Sequence, residues 1–253
     1  MAGHSKFKNI MHRKGAQDKK RAKLFSRLIR EISVAAKLGV PSPESNPRLR
    51  SAINTALAAN MNKDSIEKAI KKHSDTSNND QIEEIVYEGF GTSGVAIIIE
   101  AFTDNKNRTA SEIRTAFNKH NGNLGASGSV RHLFEKIGLI KFSKDISSFE
   151  DLFDYSAELE IKDIEESDEF FEIYTSVDTF HSTLEKYEKK YGLPKESGLD
   201  WKAKELIELG LDDAKKLLVL IEKLEDIDDV QKLSSNVNIS DEVMEQIIWK
   251  IKM

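Results

Sequence analysis

The 253-residue chain has no cysteine. That absence removes disulfides, thiolate metal ligands and cysteine nucleophiles together, and it fits a reducing, cytoplasmic setting. Also missing is any apolar run near the roughly 18–20 residues that cross a bilayer. The basic start has no apolar stretch of about 7–15 residues leading to a small-residue cleavage site, so neither a secretory leader nor a membrane span is expected. Histidines 4, 12, 73, 120, 132 and 181 show no HxxxH or HExxH spacing, which argues against a metal site. Gly89-Phe90-Gly91-Thr92-Ser93-Gly94 spells GxGxxG, yet it leads into the apolar run Val95–Phe102. A dinucleotide loop must open a helix at that point, so a turn joining two strands is expected instead. The glycine loop with Gly122, Gly125 and Gly128 lacks the Gly-Lys-Ser/Thr of a phosphate-binding loop. Ser5 beside His4 is mere adjacency, and the pairs Glu165-Glu166 and Asp228-Asp229 read as solvated faces. No catalytic residue and no cofactor is expected.

What the chain does have is charge, unevenly placed. Residues 1–72 carry 17 Lys and Arg against five acids, a balance of +12, while the remainder carries 21 against 38, a balance of −17. Such segregation suits one part built to meet a polyanion and another that stays soluble and avoids it. Lys6–Arg30 alone holds ten cations against one acid, a density that phosphate backbones reward through counterion release. The candidate nucleic-acid-binding residues are therefore His4, Lys6, Lys8, His12, Arg13, Lys14, Lys19, Lys20, Lys23, Arg27 and Arg30. Phe7, inside this stretch, is placed either to stack on a base or to pack. An anionic membrane fits less well, because the apolar face of the basic helix is needed for packing and lacks tryptophan. An acidic protein is the remaining partner class of matching charge.

Periodicity predicts three helices in the first ~75 residues. From Gln17 to Leu38 the residues Leu24, Phe25, Leu28, Ile29, Ile32 and Ala36 share one arc, with Lys20, Lys23, Arg27 and Arg30 opposite and expected to face solvent. Gly39, Pro41 and Pro43 stop that helix. Asn46-Pro47 opens a second helix, through about Ala59. A third runs near Asp64–Lys72, with Asp64 and Glu67 resembling a capping box. After the polar linker Ser74–Asp80 come strands at Ile82–Glu88 and Val95–Phe102, a helix near Lys106–His120, and a glycine loop leading to a strand through Phe134. Strand 139–143, helix 148–160, strands 161–166 and 169–175, helix 178–191 and strand 199–207 follow the βαββαβ order of a ferredoxin-like unit. Helix 211–225 and strand 229–238 have no sheet of their own, so they are expected to return to the earlier sheet. The fold class is thus α+β and multidomain: a basic three-helix domain (1–76), a discontinuous α/β domain (80–137 and 208–253), and an acidic ferredoxin-like domain (138–207) inserted in it. The acidic run Asp163, Glu165, Glu166, Asp168 and Glu169 repels phosphate, so the insertion is expected to leave nucleic-acid affinity alone.

Several strings, in this order, resemble the YebC/PmpR family, which includes mitochondrial translational activators. They are Ala2-Gly3-His4-Ser5-Lys6, His12-Arg13-Lys14, Leu28-Ile29-Arg30-Glu31-Ile32, Asn46-Pro47-Arg48-Leu49-Arg50, Tyr87-Glu88-Gly89, Asn107-Arg108-Thr109-Ala110-Ser111-Glu112 and Gly122-Asn123-Leu124-Gly125. Phe7 stands where that family usually has tryptophan, Thr92-Ser93 replaces Pro-Gly, and Arg131-His132 replaces a more apolar pair. The resemblance implies a helical first domain and two α/β domains, the third inserted in the second. It also implies a non-enzymatic, DNA-binding transcriptional regulatory protein. The alternative is a ribosome-associated translation factor that binds structured RNA and assists elongation through proline-rich stretches. No reading helix of a helix-turn-helix stands out, and cations spread over the bundle favour backbone contact over base readout.

Overall fold

A computed structural model describes residues 17–74, 82–167 and 169–252. Helices α1 (Gln17–Leu38), α2 (Pro47–Ala58) and α3 (Lys63–Ser74) form the first domain. Their core holds Ile32, Ala35, Ala36, Leu49, Ala52, Ala56, Met61, Ile66 and Ala69, with Phe25 and Leu28 packed at its edge. Small residues at 35, 36, 52, 56 and 69 let the helices approach closely. Leu24 and Ile29, expected in the stripe, are 48% and 37% exposed; the core contact is made toward the C-terminal half of α1.

One side chain joins the first two helices. Asn46 caps α2, its Oδ1 accepting from Leu49 N at 3.0 Å. Its Nδ2 donates to Ala35 O at 2.8 Å, which also accepts from Gly39 N, and to Val40 O at 2.9 Å just past the end of α1. Asn60, at φ 60°, turns the chain between α2 and α3, a backbone state that asparagine tolerates. The α3 cap is not the expected Asp64: Asn62 Oδ1 accepts from Asp64 N at 2.8 Å, and Glu67 pairs with Lys71 instead.

The second domain is built on a sheet ordered β3-β1-β2-β9, from β1 (Glu83–Phe90), β2 (Ala96–Thr103), β3 (Asn123–Leu124) and β9 (Val230–Ser235). Ile97 and Ile99 of β2 pack against Ile113 and Phe117 of α4 (Lys106–Lys119) and against α7 (Leu211–Glu225). Ala96 and Ile98, on the other face, pack with Val130, Phe134 and Trp201. A strand covered on both sides needs a near-continuous apolar run, which is why 95–102 does not alternate and is interrupted at Glu100 alone. The GxGxxG string is a turn between strands: Thr92–Gly94 form a short 3-10 turn with Ser93 at φ 58° and Gly94 at φ 77°. Gly89 has its own reason, since a Cβ there would lie 2.8 Å from Asn123 O on the neighbouring strand.

The inserted domain has the order β4 (Phe134–Ser143), α5 (Phe149–Ala157), β5 (Ile161–Glu166), β6 (Phe170–Thr175), α6 (Phe180–Tyr191) and β7 (Glu196–Ala203), with sheet order β5-β6-β4-β7. Both mapped pairings, β4 with β6 and β5 with β6, are antiparallel, which is the ferredoxin-like arrangement. Ile140, Phe142, Phe171 and Ile173 meet Phe180, Leu184 and Tyr187 in its core. The helical domain and this inserted domain lie in one compact unit, and the first sheet with its helices lies in another.

Four expectations change. No strand leads into Phe134: residues 131–133 form a 3-10 turn, and β4 then runs unbroken through Gly138. Glycine is required there because a Cβ would collide with Thr175 and Phe180. The strand expected at 199–207 divides into β7 and the two-residue β8 (Ile207–Glu208). The strand expected at 229–238 breaks at Asn236, whose Oδ1 accepts from Ala96 N at 2.8 Å. Beyond it β10 (Val237–Asn238) pairs in parallel with β8. Helix α8 (Asp241–Lys252) was not expected, although Met244 and Ile247 are buried one turn apart.

Candidate nucleic-acid interface

Of the candidate residues, His4, Lys6, Lys8, His12, Arg13 and Lys14 lie outside the described residues, as does Phe7. Lys19 and Lys20 sit in the first turn of α1, where only the backbone is described. Lys23, Arg27 and Arg30 fall on one side of α1, opposite Phe25, Leu28 and Ile32 at 100° per residue. They are half-buried, not fully turned to solvent as expected, and each is engaged in a contact of its own. Arg21, exposed, lies on the apolar side with its guanidinium 5.2 Å from the Phe25 ring centroid. The face is therefore partly organised, with stems packed along the helix and charge at the rim.

The rest of the domain adds cations that the charge count did not single out. Lys37, Lys63, Lys68 and Lys71 are exposed. Arg48 bonds Glu31 at 2.8 Å and ties α2 to α1. Arg50, one helical position past the buried Leu49, bonds Glu185 of α6 at 2.5 Å. The sequence signal for both was the string Asn46-Pro47-Arg48-Leu49-Arg50, where an apolar residue inside a helix's first turn sends its two neighbours outward. Through Lys71, the last residue of α3 whose side chain is described, the exposed positions are Lys63, Asp64, Glu67, Lys68 and Lys71. Arginine, asparagine and glutamine, whose planar groups make paired contacts to guanine or adenine, are absent from that set.

Two buried carboxylates in the second domain explain other distinctive strings. Glu88, its side chain fully buried, accepts from the backbone N–H groups of Gly128, Val130 and Arg131 at 2.8–2.9 Å. The Arg131 guanidinium lies 3.3 Å away. Burial by itself pushes the Glu88 carboxyl up; the three N–H donors and Arg131 outweigh it and hold it below the ordinary carboxylate range. Arg131 also lies 5.6 Å from the Trp201 ring centroid, which gives the polar Arg131 a place in a loop where an apolar residue was expected. Glu88 thus shapes the second glycine loop from inside.

Asp229, read from sequence as part of a solvated acidic pair, is buried. Its Oδ2 accepts from Thr109 Oγ1 at 2.7 Å, Arg108 at 2.9 Å and Thr103 Oγ1 at 3.2 Å. Burial raises its carboxyl, but those three donors and the arginine charge bring it below the usual value. Arg108 also bonds Asp104 at 2.8 Å. The network pins the start of α4 to the ends of β2 and β9, so Arg108-Thr109 serves the sheet and leaves no open site. Among the described residues no group of three or more His, Asp or Glu side chains is disposed to hold a metal, and no helix is long and apolar enough to cross a membrane.

Comparison with known proteins agrees along the chain. Residues 5–76 match the TACO1/YebC protein N-terminal domain, and residues 82–237 match the TACO1/YebC second and third domain. A probable transcriptional regulatory protein of Rickettsia canadensis is 49% identical over 247 residues, covering 96% of this chain and 97% of that protein. One of the same description from Zymomonas mobilis is 49% identical, covering 98% and 99%. A crystal structure of a conserved hypothetical protein from Aquifex aeolicus superposes with a TM-score of 0.83 at 42% identity, covering 88% of this chain and 93% of that one. The chain belongs to the TACO1/YebC family.

Proposed function

We propose that this chain is a non-enzymatic regulator of gene expression that binds nucleic acid through its basic helical domain, with duplex DNA as its target in transcriptional control. One observation carries the reading. A domain of balance +12 builds its core on one side of α1 and turns Lys23, Arg27 and Arg30 to the other. Clustered cations of that kind neutralise phosphates, release counterions and give affinity that falls with salt. The printed descriptions of the Rickettsia and Zymomonas relatives, probable transcriptional regulatory proteins, favour the same role. The two buried carboxylates are held as anions by fixed donors, which suits scaffolding.

A second reading, a ribosome-associated factor on structured RNA, is favoured by the exposed face of α3. Lysine interleaved there with Asp64 and Glu67 can follow a phosphate backbone and lacks the planar paired donors of arginine, asparagine and glutamine. Competition binding separates the two. A DNA regulator discriminates among duplexes, because base contacts contribute about 1–3 kcal/mol each. A reproducible duplex preference of about a hundredfold supports transcription. Flat competition among duplexes, with a discrete footprint on ribosomal RNA, transfers the function to translation.

A further inference from the structure

The acidic inserted domain does not stand apart from the basic one. Helix α2 presents Arg50 and Asn54 one turn apart, and α6 presents Glu185 and Glu188 on a matching face. Arg50 pairs with Glu185 at 2.5 Å, and Asn54 Nδ2 donates to Glu188 Oε1 at 2.9 Å. His181, one turn before Glu185, is half-buried at the same seam; burial and then the nearby Arg50 charge push its imidazole toward the neutral form. Residues 138–207 carry 18 acidic and 9 basic side chains, so the two carboxylates meeting α2 belong to a domain of net negative charge.

A carboxylate on an arginine occupies the donors that a phosphate would take, in the same bidentate-capable geometry. We propose that α6 is an internal competitor for polyanion: Glu185 and Glu188 hold the α2 face of the basic domain, and nucleic acid gains Arg50 only as α6 leaves. This rests on the nucleic-acid-binding function above and deepens it, giving the insertion the role of a regulating counter-surface. The expectation that removing the insertion leaves affinity unchanged is then reversed in sign; affinity rises. The ion pair is partly solvent-exposed, 32% at Arg50 and 50% at Glu185, and exposed pairs are weak. A modest effect follows, about three- to tenfold in affinity.

The test uses the full chain. With no native cysteine, Asn54→Cys with Glu188→Cys supplies a unique pair for a short bismaleimide bridge that keeps α6 on α2. Affinity for a fluorescent 20-base-pair duplex and for an RNA hairpin is measured across a salt series. The bridged protein binds at least threefold more weakly than the same variant unbridged. Glu185→Gln with Glu188→Gln binds three- to tenfold tighter than wild type, with a log K versus log salt slope steeper by up to about 0.9 on duplex DNA, the value of one added phosphate contact. Adding Arg50→Gln to that double variant cancels both gains. Asp154→Asn with Glu158→Gln, exposed on α5 and at its C-cap, makes the same charge change outside α6 and leaves affinity near wild type. If that control gains as much as the α6 variant, or if bridging leaves affinity unaltered, competition at α2 is refuted while nucleic-acid binding stands. Bridging in high yield with no salt-dependent binding to either probe overturns the proposal together with the function it rests on, and that result is distinct from the first.

Discussion

Replacing Lys23, Arg27 and Arg30 by glutamine tests the basic face without adding repulsion. All three are half-buried, so glutamine, which keeps much of the aliphatic stem, preserves their packing. If all three meet phosphate on duplex DNA, the log K versus log salt slope flattens by about 0.9 for each, near 2.7 in total. Between 50 and 200 mM salt that difference makes wild type lose about fortyfold more affinity than the variant. Fluorescence anisotropy over that range reads the slope directly, and circular dichroism melting confirms the fold. The matched control is Ile32→Ala. Ile32 is 0% exposed in the helical core, so truncation destabilises by about 2–5 kcal/mol while the folded fraction keeps the wild-type slope. A folded triple variant with unchanged affinity and slope refutes the assignment of α1 as the phosphate-binding helix.

Asn46→Ala should cost about 2–4 kcal/mol in thermal or urea unfolding, from a lost helix cap and two donated hydrogen bonds; Asn46→Asp keeps the cap alone and recovers only part of it. Asp229→Ala removes the acceptor shared by Thr103, Thr109 and Arg108 and should lower stability by about 2–4 kcal/mol, read by urea unfolding, with little change in nucleic-acid affinity. Because the Glu88 and Asp229 carboxyls are both depressed in the folded chain, their contribution is complete above the ordinary carboxylate value near about 4 and is lost as pH falls through their lower folded values. Melting temperature should therefore drop steeply below about pH 4, and Glu88→Gln, less stable at neutral pH, should show a shallower drop.

Periodicity made the large elements legible. Helix α1 is bounded as the apolar spacing and Gly39 indicate, and the inserted domain's strand–helix order sufficed for its topology. What stayed hidden were interruptions whose cause is tertiary. The strand expected at 139–143 begins at Phe134 and includes Gly138, where Thr175 and Phe180 leave no room for a Cβ. Asn236 sits inside an apolar-flanked run and ends it by substituting its own amide for a backbone acceptor to Ala96. Helix α8 was readable, since Val243, Met244, Ile247 and Ile248 follow helical spacing. At the candidate interface the charge density of α1 was visible and its partial burial was not, because a residue's angle on the helix says which side it faces and nothing about what lies beyond. Arg50 was passed over for a similar reason: its partner is 135 positions away.

The same distinction governs the acidic side chains. Counting placed Glu88, Asp229 and Glu185 in one pool of negative charge, although they act differently. Glu88 and Asp229 are enclosed by donors, so their charge is spent inside the second domain and contributes little field at the surface. Glu185 and Glu188 lie at a seam with the basic helices, where their charge is directed at cations otherwise available to phosphate. Salt screens both competing interactions. Raising it strips phosphate from α1 and also loosens α6 from α2, and the second effect partly offsets the first. The wild-type salt slope should therefore be shallower than the number of its phosphate contacts implies, and the missing steepness should return when Glu185 and Glu188 are neutralised. The glutamine variants on α1 lie outside that seam, so the two slope changes add if the helices work as described; a combined variant showing only the larger of them would mean that α1 and α2 bind through one coupled contact.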